Sequence, residues 1–99
     1  MNIFEGHING SKPVIVDFSA EWSGTDKMLE PVLHEIKEKT GEKISVLKID
    51  IDKEPSLKEL YDIRTVPTLI IFKHGKVIWR KNGIATTHEI LEHLSTYVE

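Results

Sequence analysis

The run Val14-Ile15-Val16-Asp17-Phe18 constrains this chain most, because it offers apolar side chains to both faces of a strand. Successive strand residues point to opposite faces, so such a run needs cover on both sides. The pattern predicts a central parallel strand lying between helices. The flanking segments supply those layers. Residues 3–10 read as a short helix that ends near Asn9-Gly10. A longer helix is expected from near Ser23 to about Thr40, with an apolar stripe of Met28, Leu29, Val32, Leu33 and Ile36. Gly41 stops it, and Pro31 removes one of its backbone hydrogen bonds and kinks it.

Residues 44–51 read as a second central strand, and residues 55–61 as a short helix carrying Leu57, Leu60 and Tyr61, capped by Asp52. Residues 68–72 form a third strand. His74-Gly75 is a two-residue hairpin turn in which glycine supplies a positive φ, and residues 76–80 return antiparallel. Thr86 and Glu89 have the spacing of a capping box, and Ile90, Leu91, Leu94 and Val98 stripe a final helix. The expected order is α-β-α-β-α-β-β-α, a mixed sheet between helices.

Ninety-nine residues suit one domain, residues 1–99, whose core supports itself without staples. The net charge of −3 and pI near 5.9 make no electrostatic case for nucleic acid or an anionic membrane. No apolar run reaches transmembrane length, and Met1-Asn2-Ile3-Phe4-Glu5 has neither the basic nor the apolar region of a secretion signal. The expected compartment is the cytoplasm. The chain has no cysteine, which excludes disulfides, thiolate metal sites and cysteine nucleophiles.

The strongest local signal is Phe18-Ser19-Ala20-Glu21-Trp22-Ser23-Gly24-Thr25-Asp26-Lys27, followed much later by Val66-Pro67-Thr68 at the head of an apolar strand. A strand, W-x-G-x-x-K, a helix and a later V-P-T together resemble the thioredoxin family, over about residues 4–99. The resemblance implies a thioredoxin fold. That family usually has a further strand before the first helix, and this chain starts too late to hold all of it, so four strands are expected. On the same resemblance Asp17 matches a buried carboxylate, Lys48 the lysine that pairs with it, and Trp22 the tryptophan before the active site. Gly24 and Lys27 match the motif, Pro31 the helix proline, Pro67 a cis-proline facing the active site, and Gly83 a glycine beside the substrate groove.

The departures lie at the reactive positions. Ser23 and Asp26 stand where the family has its two cysteines, Thr25 where it often has proline, and Ser19 where many members have an aromatic residue. Disulfide exchange needs a thiolate and a second, resolving thiol, and a neutral hydroxyl replaces neither. No catalytic residue is therefore expected. Ser23 reads as the N-cap of the long helix, and Asp26 as a first-turn carboxylate favoured by the helix dipole. The resemblance also places Asp17 beneath Asp26 with Lys48 nearby, where repulsion and burial would raise at least one carboxyl pKa. Without a thiol to serve, Asp17 is expected to keep an ion pair with Lys48.

A cis peptide bond before Pro67 turns the Val66 backbone outward. In thioredoxins that backbone pairs with an extended substrate segment, by strand addition. Trp22, Gly24, Thr25, Thr65, Val66, Pro67, Gly83 and Ile84 would line the groove. The histidines are scattered. His34 with Glu38, and Glu89 with His93, have helix-face spacing, and neither a metal nor any other cofactor is expected. The first functional reading is a redox-inactive monomer that binds a protein or extended peptide through the Trp22/Pro67 face. The second is a thiol-disulfide oxidoreductase whose cysteines have been mutated. A third, lower reading is a new activity on Asp17 and Asp26.

Overall fold

The computed structural model describes residues 3–24 and 26–95, with the side chains of Ile3 and Asp26 outside that description. The elements run α1 (Ile3–Ile8), β1 (Val14–Ser19), α2 (Asp26–Thr40), a 3-10 turn (Gly41–Lys43), β2 (Ser45–Asp50), α3 (Pro55–Leu60), β3 (Thr68–Lys73), β4 (Lys76–Asn82) and α4 (Thr87–Leu94). The sheet has four strands in the order β2-β1-β3-β4. β1 pairs parallel with β2 and antiparallel with β3, and β3 pairs antiparallel with β4. This is the mixed four-stranded sheet that the sequence predicts.

β1 is buried at all six positions, as its two-faced apolar run requires. Val14, Val16 and Phe18 face a core completed by Phe4, Ile8, Leu57, Ile63, Ile70 and Phe72. Ile15 faces a second core with Leu29, Leu33, Ile36, Ile44, Leu69, Ile71, Ile90 and Leu94. The sheet therefore carries α1 and α3 on one side and α2 and α4 on the other. In the first layer the ring of Phe4 meets Phe18 at 6.3 Å and Phe72 edge-on at 5.8 Å. Complete burial of one such side chain contributes about 1.5–3 kcal/mol.

Several local expectations change in the fold. β2 is an edge strand, not a central one, because among the described residues only β1 pairs with it; its residues are half-buried except Lys48, which is exposed. α2 begins at Asp26 rather than near Ser23, so Ser23 is not its N-cap. The amide of Ser23 donates instead to Ala20 O at 3.1 Å, and a turn closed by Lys27 N–H to Gly24 O at 3.3 Å leads into the helix. Met28 and Leu60 belong to the predicted stripes but are 64% and 69% exposed. Leu29, Leu33 and Ile36 already fill the sheet-facing side of α2, and Leu57 that of α3. Val98 lies outside the described residues.

Helix and turn ends are satisfied by specific groups. The Lys37 ammonium in the last turn of α2 donates to Gly41 O at 2.8 Å and Ile44 O at 2.7 Å, tying the 3-10 turn that follows back to the helix. The guanidinium of Arg80 on β4 donates to Tyr61 O and, at 2.9 Å, to Asp62 O, the carbonyls just beyond α3. Thr86 caps α4 by accepting from the Glu89 amide at 3.1 Å. His74 and Gly75 have φ of 55° and 78°, the left-handed pair that a two-residue hairpin turn needs. Their amides donate to Gly10 O and Ile8 O at 2.9 and 2.8 Å, pinning the turn against the end of α1. Among the described residues no helix is long and apolar enough to cross a membrane.

Candidate functional site

The site forms where β1 ends, α2 begins and the loop before β3 returns. β1 carries Asp17 into the interior on the same face as Ile15, because the two are separated by one strand repeat. Asp17 is 1% exposed, and both its carboxylate oxygens are shielded from solvent. Its neighbours across the sheet are Lys48 on β2 and Leu69 on β3. The register thus sets Asp17 beside Lys48, whose ammonium stands 3.4 Å from Glu30 Oε1 on α2. Glu30 is a partner that the sequence did not suggest. The side chain of Asp26 and all of Thr25 lie outside the described residues, so the expected Asp17–Asp26 proximity lies there too.

Beyond β1 the chain turns sharply. Trp22 emerges at this turn and is 70% exposed, while Ser23 next to it is buried. The Trp22 indole N–H donates to Asp52 Oδ2 at 2.8 Å, which fixes the ring edge against the loop after β2. Asp52 is therefore not the cap of α3. The residue at that position is Glu54, whose side chain makes no capping hydrogen bond, and Pro55 opens the helix. Asp52 is itself held in place, since its amide donates to Asp50 Oδ1 at 2.9 Å. Gly24 is exposed at the mouth of α2, with open space where a Cβ would stand.

The loop before β3 returns beside the end of β1, because Phe18 pairs with Thr68 at the start of β3. The Val66–Pro67 peptide bond is cis. Pro67 is buried and Val66 half-buried. Thr68 Oγ donates to Thr65 O at 2.7 Å and tightens this loop. Gly83, with φ of 117°, donates its amide to Pro67 O at 2.8 Å. That bond brings the Gly83-Ile84 loop beside Pro67, and Ile84 packs into the second core. Outside the strands, none of the backbone hydrogen bonds between described residues uses Val66.

Chemically, the site combines an exposed aromatic ring, a buried carboxylate and the Val66 backbone, which no hydrogen bond between described residues uses outside the strands, with no sulfur. The histidines take other partners. His34 pairs with Glu38 at 3.1 Å on exposed α2, and His88 with Glu92 at 3.5 Å on α4. Glu89 does not take His93 as its main partner, as its spacing suggested. It accepts from Lys81 Nζ at 2.7 and 2.9 Å, and His93 stacks on Trp79 at 4.9 Å between ring centroids. Lys81 holds the Glu89 carboxyl below the usual carboxylate range, first by this hydrogen bond and then by its charge; partial burial opposes the shift. Among the described residues no group of three or more potential ligands could hold a metal ion.

The family model for thioredoxin matches residues 1–96. The thioredoxin-like protein slr0233 of Synechocystis is 35% identical over 97 residues, which cover 98% of this chain and 92% of that protein. Thioredoxin Y of the rice chloroplast is 41% identical over 88 residues, 89% of this chain. The chain spans about half the length of that chloroplast relative, 52%. Among solved structures, a mutant thioredoxin from Halobacterium salinarum superposes with a TM-score of 0.86 at 30% identity, covering 97% of this chain and 83% of that one.

Proposed function

The chain belongs to the thioredoxin family, and we propose that it binds an extended segment of another protein between Trp22 and Pro67 without exchanging disulfides. The observation that carries this reading is the Val66 backbone, which no hydrogen bond between described residues occupies outside the strands. A partner segment laid along Val66 can pair with its N–H and C=O as an added strand does. Trp22 supports the reading from the other wall. Large, exposed aromatic rings are enriched at protein interfaces, and this one already has its polar edge satisfied by Asp52. Gly24, Thr25, Thr65, Gly83 and Ile84 complete the groove in this proposal. The absence of cysteine supports binding without dithiol chemistry.

In this account Ser23 and Asp26 have no catalytic part. Asp17 and Lys48 are register neighbours on β1 and β2, and the Lys48 ammonium is held by Glu30. Residues 1–99 act as one cytoplasmic, monomeric domain with a protein partner and no cofactor, nucleic acid or membrane. The test is retention of proteins from native lysate by this chain and by a Trp22→Ala/Pro67→Ala control. A defined partner lost in the control supports the groove; identical retention by both sinks it. The second reading, an oxidoreductase deprived of its thiols, is separated by the Ser23→Cys/Asp26→Cys variant. A long-diverged binder recovers little disulfide reductase activity, and a recently mutated enzyme recovers nearly all of it.

A further inference from the structure

A cleft of about 280 Å³ opens outside the carboxyl ends of β1 and β2, lined by Ser19, Ala20, Glu21, Lys48, Asp50 and Lys53. Neither Trp22 nor Val66, Pro67 or Gly83 lines it, so it is distinct from the groove described above. Crevices beyond the carboxyl ends of strands are where α/β sheets take their ligands. Its volume is just below the usual range for small-molecule sites, and every lining residue but Ala20 brings a polar or charged group to it, on aliphatic stems that supply much of the wall.

Ser19 lines the cleft and is 2% exposed. Its hydroxyl reaches Ile49 O at only 3.4 Å, well beyond the usual length for an O–H donor. A buried hydroxyl held this loosely gains from a closer acceptor. The rim has two ammonium groups, from Lys48 and Lys53, and two carboxylates, from Glu21 and Asp50. Lys53 stands 3.5 Å from Glu21, and Lys48 stands 3.4 Å from Glu30. Both distances exceed the roughly 2.7–2.9 Å of a strong charge-assisted hydrogen bond. All four side chains are more than half exposed, so these pairs contribute little and yield easily to a ligand. Asp50 accepts the Asp52 amide on Oδ1, and its Oδ2 enters no hydrogen bond among the described residues.

The charges on this rim sum to zero but include both signs. A simple anion entering the cleft meets two carboxylates, and a simple cation meets two ammonium groups. A molecule carrying one charge of each sign can satisfy both. We propose that this cleft binds a small zwitterion of the free α-amino acid class. Its carboxylate lies on Lys53 and Lys48, its ammonium on Asp50 and Glu21, and the Ser19 hydroxyl donates to its carboxylate from below.

Titration of the full chain with L-alanine and L-serine, followed by amide chemical shifts, tests this, with acetate and methylammonium as single-charge controls. Saturable shifts at Ser19, Ala20 and Asp50 are expected with the amino acids, at affinities roughly tenfold or more above either control. Lys53→Glu, on a side chain that is 73% exposed, is expected to weaken binding by about tenfold. Ser19→Phe should abolish it by filling the cleft. If Ser19→Phe does not fold, Lys53→Glu decides the matter alone. The proposal is overturned if neither amino acid shifts these amides, if acetate binds as well as they do, or if Lys53→Glu leaves their affinity unchanged.

Discussion

The indole N–H of Trp22 donates a 2.8 Å hydrogen bond to Oδ2 of Asp52, thirty residues further along the chain. It ties the exposed ring at the end of β1 to the loop after β2, so the ring is presented in one orientation instead of many. Ordering that ring beforehand removes part of the entropy cost of binding. Asp52→Ala is therefore expected to weaken capture of an extended segment by about five- to tenfold, the equivalent of roughly 1 kcal/mol for an exposed bond. The Trp22 emission should shift in the same variant. A Trp79→Phe background isolates that signal, and affinity measured with and without Asp52 checks the prediction.

Gly75 has φ of 78°, and a Cβ built there falls 2.4 Å from Asn9 Oδ1. The Asn9 amide can rotate away, but the left-handed backbone remains unfavourable for alanine. Gly75→Ala is expected to cost about 1–2 kcal/mol in denaturant melts. Adding Asn9→Ala should recover only the steric part, leaving about 1 kcal/mol from the backbone.

Arg80 reaches from β4 to the carbonyls just beyond α3, at Tyr61 and Asp62, and also donates to Asn82 Oδ1 at 3.0 Å. Arg80→Met keeps the aliphatic stem but removes every donor. The expected loss is about 1–3 kcal/mol, seen as a fall in Tm of some 4–8 °C per kcal/mol in a domain of this size.

Glu89 has its folded pKa lowered, chiefly by the hydrogen bond from Lys81. A depressed carboxyl pKa means that the folded state favours the charged form. Its stabilisation is therefore full above the unfolded value of about 4.3 and is lost as pH falls through the lower, folded value. Lys81→Met should thus be less stable than the parent chain above that pH and converge with it in stronger acid. Urea melts at a series of pH values check the sign; a gap that widens on acidification contradicts it.

The layering was legible because β1 opens with three consecutive apolar residues, Val14, Ile15 and Val16, which point to both faces and need a two-sided environment. The Thr86 cap and the His74-Gly75 turn were legible too, since both depend on residues a few positions apart. What failed to show in the sequence depends on long-range neighbours. Val46, Leu47 and Ile49 look like a central strand, yet among the described residues no strand pairs along the outer edge of β2. Asp52 has the composition of a helix cap, but the Trp22 indole takes its carboxylate, and no local pattern announces such a partner. Met28 and Leu60 fit helical stripes whose sheet-facing positions were already filled. At the site, the motif identified Trp22 and Pro67, whereas Asp52 and Glu30 emerged only from the fold.

The most direct measurement is amide and indole chemical-shift mapping with a peptide selected against the chain from a random linear library. The account predicts shifts concentrated at Val66, Thr65, Gly83, Ile84 and the Trp22 indole, slowed hydrogen exchange of the Val66 amide, and loss of binding in Trp22→Ala. A selected peptide that leaves Val66 and Trp22 unperturbed, or binds Trp22→Ala equally well, contradicts it.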